Sequence, residues 1–133
     1  MDLEKHILII DDDATLLQVL ERAFKRRGFV VSTAQTGEQA LQICQASQPT
    51  HISLDLKLSQ ETGLHLIPQL KILAPLAPIV MLTAYASIAT AVDAIKLGAH
   101  QYLCKPVDAD QLLAGFSGDV SAESQTEQSE AQE

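Results

Sequence analysis

The sequence has few cysteines and no spacing that would let them bind a metal. Cys44 and Cys104 are the only two in 133 residues, and neither belongs to a CxxC or Cys/His pattern. Zinc sites and disulfide frameworks need such patterns, so both are disfavoured. The four histidines are equally scattered. We therefore expect two reduced, mostly buried thiols and no histidine metal site.

Long apolar runs are also absent. No stretch approaches the ~20 apolar residues that a membrane-spanning helix needs. At the amino terminus, Asp2 and Glu4 stand where a secretory signal carries cations, and Asp11 interrupts the first apolar run. These features predict a cytoplasmic protein without membrane contact.

Positive charge is scarce. Nine Lys and Arg residues face 17 Asp and Glu residues, for a net charge of −8, which disfavours direct nucleic-acid binding. Residues 117–133 hold five of the acids and no base, and are rich in Ser, Gln and Glu. This composition predicts an acidic, disordered linker or tail after a single folded domain over residues 1–116.

Within that domain, strand-like and helix-like patterns alternate. Apolar runs at 6–10, 29–34, 51–56, 78–84 and 100–104 predict five strands, and five amphipathic helices follow them in turn. Gly28 and Gly98 suit helix ends, Ser87 and Asp108 suit helix starts, and the third helix is expected to be irregular around Pro68. Strict alternation predicts an α/β fold, a doubly wound parallel sheet with helices on both faces.

Chemically active side chains stand at the predicted strand ends. Asp11 and Asp12 end the first strand, Asp55 lies in the third, Thr83 ends the fourth and Lys105 follows the fifth. Two like charges at 4 Å repel by about 4 kcal/mol at an effective dielectric near 20, so an acid cluster needs a cation. Oxygen-only ligands suit Mg²⁺ or Mn²⁺, beside which a carboxylate can attack phosphorus.

Taken together, the segments IIDD (9–12), LDL (54–56), LTA (82–84) and YLCKP (102–106) resemble the response-regulator receiver domain of two-component signalling. The resemblance covers residues 6–116 and implies a flavodoxin-like sheet of strand order 2-1-3-4-5 in three α/β/α layers. The segments at 54–70 and 85–106 resemble, more narrowly, the redox-responsive RegA/PrrA/ActR group.

The resemblance implies a phosphoacceptor and a metal site. Asp55 would accept the phosphoryl group. Mg²⁺, or Mn²⁺ in its place, would be bound by Asp12 directly, by Asp11 mainly through water, by Asp55 and by the backbone carbonyl of Lys57.

It also implies the residues that respond to the phosphoryl group. Lys105 would pair with Asp55 and then with that group, and the Lys105–Pro106 peptide bond would be cis. Thr83 would hydrogen-bond a phosphoryl oxygen, and Tyr102 would move inward behind it.

The implied function is a switch rather than an enzyme, apart from assistance to its own phosphorylation and slow autodephosphorylation. A sensor histidine kinase would donate the phosphoryl group, and the surface made by the fourth helix, fifth strand and fifth helix would then change. Its output would be transcription through a carboxyl-terminal DNA-binding domain absent from this chain, with a homodimer as one outcome of phosphorylation.

Two other functions are compatible with parts of the sequence. Asp11-x-Asp13-x-Thr15 fits the DxDxT signature of haloacid-dehalogenase-type phosphatases, in which the first Asp is the nucleophile and the second a general acid/base. Further acids must follow the lysine in those enzymes, and Asp108 and Asp110 are poor substitutes because they begin a helix. The third option is a protein-binding module that is never phosphorylated.

Overall fold

The computed structural model describes residues 4–84 and 87–117. The predicted disordered tail therefore lies, from residue 118 onward, outside the described residues. The described residues form seven strands: β1 (His6–Ile10), β2 (Val30–Ala34), β3 (His51–Leu54), β4 (Lys57–Leu58), β5 (Glu61–Thr62), β6 (Ile79–Thr83) and β7 (Gln101–Cys104). The helices are α1 (Ala14–Arg26), α2 (Gly37–Ala46), α3 (Leu66–Leu73), α4 (Ile88–Leu97) and α5 (Ala109–Ser117), with a 3₁₀ turn at Gly63–His65.

The main sheet is parallel and has the order β2-β1-β3-β6-β7. This confirms the predicted order 2-1-3-4-5, since β4 and β5 form a separate antiparallel hairpin between β3 and α3. The strand order reverses at β1, whose two neighbours are β2 and β3. Ligands of such sheets bind beside this point, outside the carboxyl ends of the strands.

Two apolar cores cover the faces of the sheet. Ile7 and Ile9 of β1 pack with α1 and α5, whereas Leu8 and Ile10 pack with α2, α3 and α4. Successive side chains of a strand point to opposite faces, so a strand that is apolar throughout has to be covered on both sides. The result is the predicted three-layer arrangement.

Helix ends follow the predicted chemistry. Ser87 Oγ accepts a hydrogen bond from Thr90 N at 3.1 Å, and Asp108 Oδ1 accepts one from Gln111 N at 2.8 Å. Gly28 and Gly98 have φ values of 87° and 122°, in the left-handed region that glycine enters without a Cβ clash.

Three details of the prediction are wrong. The third strand ends at Leu54 rather than residue 56, because the chain turns away after Asp55 into the β4–β5 hairpin. Pro68 causes no irregularity, because it stands in the first turn of α3, where a missing N–H costs nothing; the irregular part is the preceding 3₁₀ turn. Cys44 is buried as expected, but Cys104 is exposed at the end of an edge strand.

Candidate functional site

The predicted site residues lie at the carboxyl ends of the strands of the main sheet. Asp11 follows β1, Asp55 follows β3, Thr83 ends β6 and Lys105 follows β7. Backbone hydrogen bonds extend the sheet by one step here: Asp11 N donates to Ala34 O, and Asp55 N donates to Ile10 O, both at 3.0 Å. The strand pairing itself thus holds two acids side by side.

Three carboxylates form the centre of the site. One oxygen from each of Asp11, Asp12 and Asp55 lies within 4.8 Å of the other two. Asp11 is only 2% exposed and Asp55 only 6%, whereas Asp12 is exposed. Charged carboxylates are rarely this buried unless something compensates them.

Lys105 supplies part of the compensation. Its Nζ donates a hydrogen bond to Asp11 Oδ2 at 2.8 Å and lies 3.5 Å from Asp55 Oδ2. The backbone of Lys105 is attached to β6, since its N–H donates to Thr83 O at 2.8 Å, and the Lys105–Pro106 bond is cis, as the resemblance implied. One ammonium against three carboxylates leaves an excess of negative charge.

The pKa values reflect this balance. Burial, followed by repulsion from Asp11, raises the pKa of Asp55 above its usual value, although Lys105 and the N–H of Lys57 act in the opposite direction. Burial opposes the charge of Lys105, but its hydrogen bond and attraction to Asp11, with smaller contributions from Asp55, raise the pKa of Lys105. The surroundings thus favour the charged form of Lys105 and disfavour the charged form of Asp55.

The donor set fits a hard divalent cation. The clustered ligand atoms are carboxylate oxygens, and the exposure of Asp12 leaves one side open to water. Mg²⁺ prefers such oxygen ligands and keeps several waters. Lys57, the fourth predicted ligand, lies beside the cluster, and its N–H donates to Asp55 Oδ1 at 3.4 Å. That the backbone carbonyl of Lys57 binds the cation stays a prediction.

Thr83 and Tyr102, which with Lys105 are predicted to respond to phosphorylation, differ in burial. Thr83 is completely buried at the end of β6. Tyr102 lies on β7 opposite Met81, partly buried, and its hydroxyl is hydrogen bonded to Thr90 Oγ1 of α4 at 2.9 Å. Tyr102 therefore connects β7 to α4, and its inward movement stays a prediction.

Asp13 has a structural role. Its Oδ1 accepts hydrogen bonds from Thr15 N at 3.0 Å and Leu16 N at 3.2 Å, and so caps α1. Asp108 caps α5, and Asp110 forms an ion pair of 2.8 Å with Arg27. A DxDxT phosphatase would need these acids as well as Asp11, but here Asp13 and Asp108 cap helices and Asp110 pairs with Arg27.

Sequence reasoning missed the β4–β5 hairpin and its contacts. Ser59 Oγ donates to Asp12 Oδ2 at 3.2 Å, and Glu61 Oε2 accepts from Gly37 N at 3.0 Å. The turn residues Ser59 and Gln60 include no Gly, Asn or Asp, so the usual hairpin signal is lacking. Strands of two residues are also too short to show a period.

Fold and site together define a doubly wound α/β domain with an acidic, cation-compatible centre opposite one lysine. Residues 7–116 match the family described as the response regulator receiver domain, and the chain belongs to this family. Receiver domains are signalling proteins that interact with histidine kinases. This confirms the resemblance inferred from the sequence motifs.

Curated relatives are regulatory proteins, among them the alginate biosynthesis transcriptional regulatory protein AlgB of Pseudomonas putida, 38% identical over 111 residues, covering 84% of this chain and 25% of that protein. The chain is 41% identical over 113 residues to the acid tolerance regulatory protein ActR of Rhizobium meliloti, covering 85% of this chain and 58% of that protein. It is 41% identical over 109 residues to the photosynthetic apparatus regulatory protein RegA of Cereibacter sphaeroides, covering 82% and 59%. The chain thus spans somewhat more than half the length of ActR and RegA.

Solved structures show the same fold. A response regulator from Burkholderia pseudomallei, crystallised with a phosphorylated aspartic acid, a calcium ion and citrate, superposes with a TM-score of 0.88 at 41% identity, over 94% of this chain and 73% of that one. A CheY-like receiver domain from Methanospirillum hungatei gives 0.82 at 29% identity, over 94% and 99%. In the described part of the chain, no helix is both long and apolar enough to span a membrane.

Proposed function

We propose that Asp55 accepts a phosphoryl group from the phosphohistidine of a sensor histidine kinase, with Mg²⁺ bound at Asp11, Asp12, Asp55 and the carbonyl of Lys57. The supporting observation is the placement of Asp55. Its carboxylate is nearly buried, shares a 4.8 Å cluster with two other acids and lies 3.5 Å from an ammonium. The phosphorylated aspartate and calcium ion of the Burkholderia relative add support.

In the transfer, a carboxylate oxygen of Asp55 forms a bond to phosphorus while the phosphorus–nitrogen bond of the donor breaks. The electron pair of that bond stays on the imidazole nitrogen, and the product is an acyl phosphate on Asp55. Mg²⁺ held by Asp11, Asp12, Asp55 and the carbonyl of Lys57 would supply positive charge against the phosphoryl oxygens. Lys105, close to Asp55 Oδ2, stabilises the same charge, and Thr83 donates a hydrogen bond to a phosphoryl oxygen.

The new charge of roughly −1.5 to −2 is the input to a switch. Thr83 and Lys105 follow the phosphoryl group, and Tyr102 carries the change to α4 because its hydroxyl is bonded to Thr90. The affected surface consists of α4, β7 and α5 and includes the exposed Ile88, Val92 and Ile95. Slow autodephosphorylation resets the switch.

The output is transcription, as the name of the longer relative AlgB suggests. We assign residues 1–116 to the receiver and 117–133 to an acidic linker toward a DNA-binding domain; direct contact of the receiver with DNA is disfavoured by its negative charge. Phosphorylation-dependent dimerisation through the switched surface and a cytoplasmic location belong to the same proposal.

Acetyl phosphate with Mg²⁺, followed by mass-spectrometric mapping, tests the assignment. We expect one phosphoryl group on Asp55, and no labelling of Asp55→Asn or of wild type in EDTA. Asp13→Asn is the matched control and should label as the wild type does. Label on Asp11 with turnover of phosphate esters would identify a phosphatase, and an unlabelled, folded wild type would identify a module that is never phosphorylated.

A further inference from the structure

The β4–β5 hairpin contacts the acidic cluster from outside the sheet. Its turn residue Ser59 donates from Oγ to Asp12 Oδ2 at 3.2 Å, and Glu61 on β5 accepts from Gly37 N at 3.0 Å. At its base, Gly63 N donates to Leu56 O at 2.6 Å. The hairpin is therefore closed at its base, bonded to α2 on one strand and in contact with Asp12 at its turn.

Glu61 is well suited to hold the hairpin. Gly37 is the first residue of α2, so its N–H has no acceptor within the helix, and the positive end of the helix dipole attracts a carboxylate. A Cβ on residue 37 would lie 2.8 Å from Glu61 Oε1, so glycine is what allows this approach. The contact joins two segments that are 24 positions apart.

The three carboxylates differ in how they are held. Asp11 is bonded through Oδ2 to Lys105 and through Oδ1 to the N–H of Asp13 at 2.9 Å. Asp55 interacts with Lys105 and with the N–H of Lys57. Within residues 4–84 and 87–117, Ser59 is the single hydrogen-bond donor to the carboxylate of Asp12.

We propose that Ser59 and Glu61 are positioning residues for the Mg²⁺ site, an inference that rests on the proposed function. Glu61 holds the hairpin against α2, and Ser59 then occupies Oδ2 of Asp12. The carboxylate is held with its other oxygen available to the cation. Without this contact, the exposed Asp12 loses its orientation and the cation binds less tightly, as happens when hydrogen-bond partners of metal ligands are removed.

Isothermal titration of the 133-residue chain with MgCl₂, without any phosphoryl donor, tests the proposal. Because the Ser59 bond is exposed and 3.2 Å long, we expect Ser59→Ala and Glu61→Ala to weaken binding by only about three- to tenfold. Ser59→Thr and Glu61→Gln keep a donor and an acceptor and should stay within about twofold of wild type. Gln60→Ala, in the same turn, is the control and should bind as the wild type does.

The conservative variants separate positioning from other effects. If Glu61 acted only through its charge, Glu61→Gln would be as weak as Glu61→Ala, which would overturn its positioning role. Wild-type affinity in Ser59→Ala, with the wild type binding Mg²⁺ and labelling at Asp55, would overturn this inference and leave the proposed function intact. A wild type that binds no Mg²⁺ would overturn both.

Discussion

Lys105 donates its hydrogen bond to Asp11, at 2.8 Å, rather than to the predicted phosphoacceptor. The distance from Lys105 Nζ to Asp55 Oδ2 is 3.5 Å, within ion-pair range but too long for a strong hydrogen bond. The ammonium therefore neutralises mainly the more buried acid. The oxygens of Asp55 are less engaged, which suits its proposed role as the phosphoacceptor.

Removing the ammonium tests its structural role. Lys105→Met leaves Asp11 and Asp55 without their cation, so we expect the free energy of unfolding in EDTA at pH 7 to fall by about 1–3 kcal/mol. Urea denaturation measures this change. Lys105→Arg keeps the charge and should lose less; equal losses in both variants would mean that packing, not charge, is responsible.

Asp55→Asn should stabilise the metal-free domain at neutral pH. Because the pKa of Asp55 is raised by folding, its contribution to stability is complete below the ordinary carboxyl pKa and is lost as the pH rises through the raised value. The asparagine variant avoids that loss. Its urea midpoint should therefore exceed that of the wild type most at pH 7, and the difference should decrease as the pH is lowered. An advantage that is constant with pH would contradict the raised pKa.

Mg²⁺ should stabilise the folded chain. At a free concentration about 100 times its dissociation constant, a ligand that binds only the folded state adds about 2.7 kcal/mol. Thermal melts with MgCl₂ and with KCl at equal ionic strength measure the effect. Asp12→Asn, which changes an exposed residue, should melt normally in EDTA and gain much less from Mg²⁺.

Gly63→Ala should disturb both fold and site. A Cβ at this position would overlap the carbonyl oxygen of Asp55, so we expect a loss of about 3 kcal/mol and slower phosphorylation. Gly28→Ala is the comparison, because residue 28 has φ of 87° with open space around it and should cost only about 1 kcal/mol. Similar losses in the two variants would rule out the clash.

His51 should make stability depend on pH. Its ring packs against Phe29 and Phe116, and burial, with Lys5 nearby, lowers its pKa. At acid pH the unfolded chain therefore binds a proton at His51 more readily than the folded chain does. The contribution of His51 to the free energy of unfolding is complete above the ordinary histidine pKa of about 6.5 and is lost as the pH drops through the lowered pKa. Urea titrations of His51→Gln should show a smaller fall; an identical pH profile would contradict this.

Much of the fold could be predicted because its signals are local. The apolar run at 6–10 became β1, and Ser87, Asp108, Gly28 and Gly98 mark helix ends as their chemistry indicates. The errors came where contacts between distant parts of the chain decide the local structure. Asp55 was assigned to a strand because Leu54 and Leu56 flank it, but the chain leaves the sheet at that point.

Hydrophobic period and capping are properties of residues that are close together along the chain. The alternation of strands and helices, with acids and a lysine at the strand ends, could therefore be read from the sequence. Three contacts depend instead on the folded structure: Lys105 with Asp11, Tyr102 with Thr90 and Ser59 with Asp12. These contacts join distant parts of the chain. Lys105 Nζ, for example, lies 2.8 Å from Asp11 and 3.5 Å from Asp55, and that preference exists only once the sheet, helices and hairpin have packed.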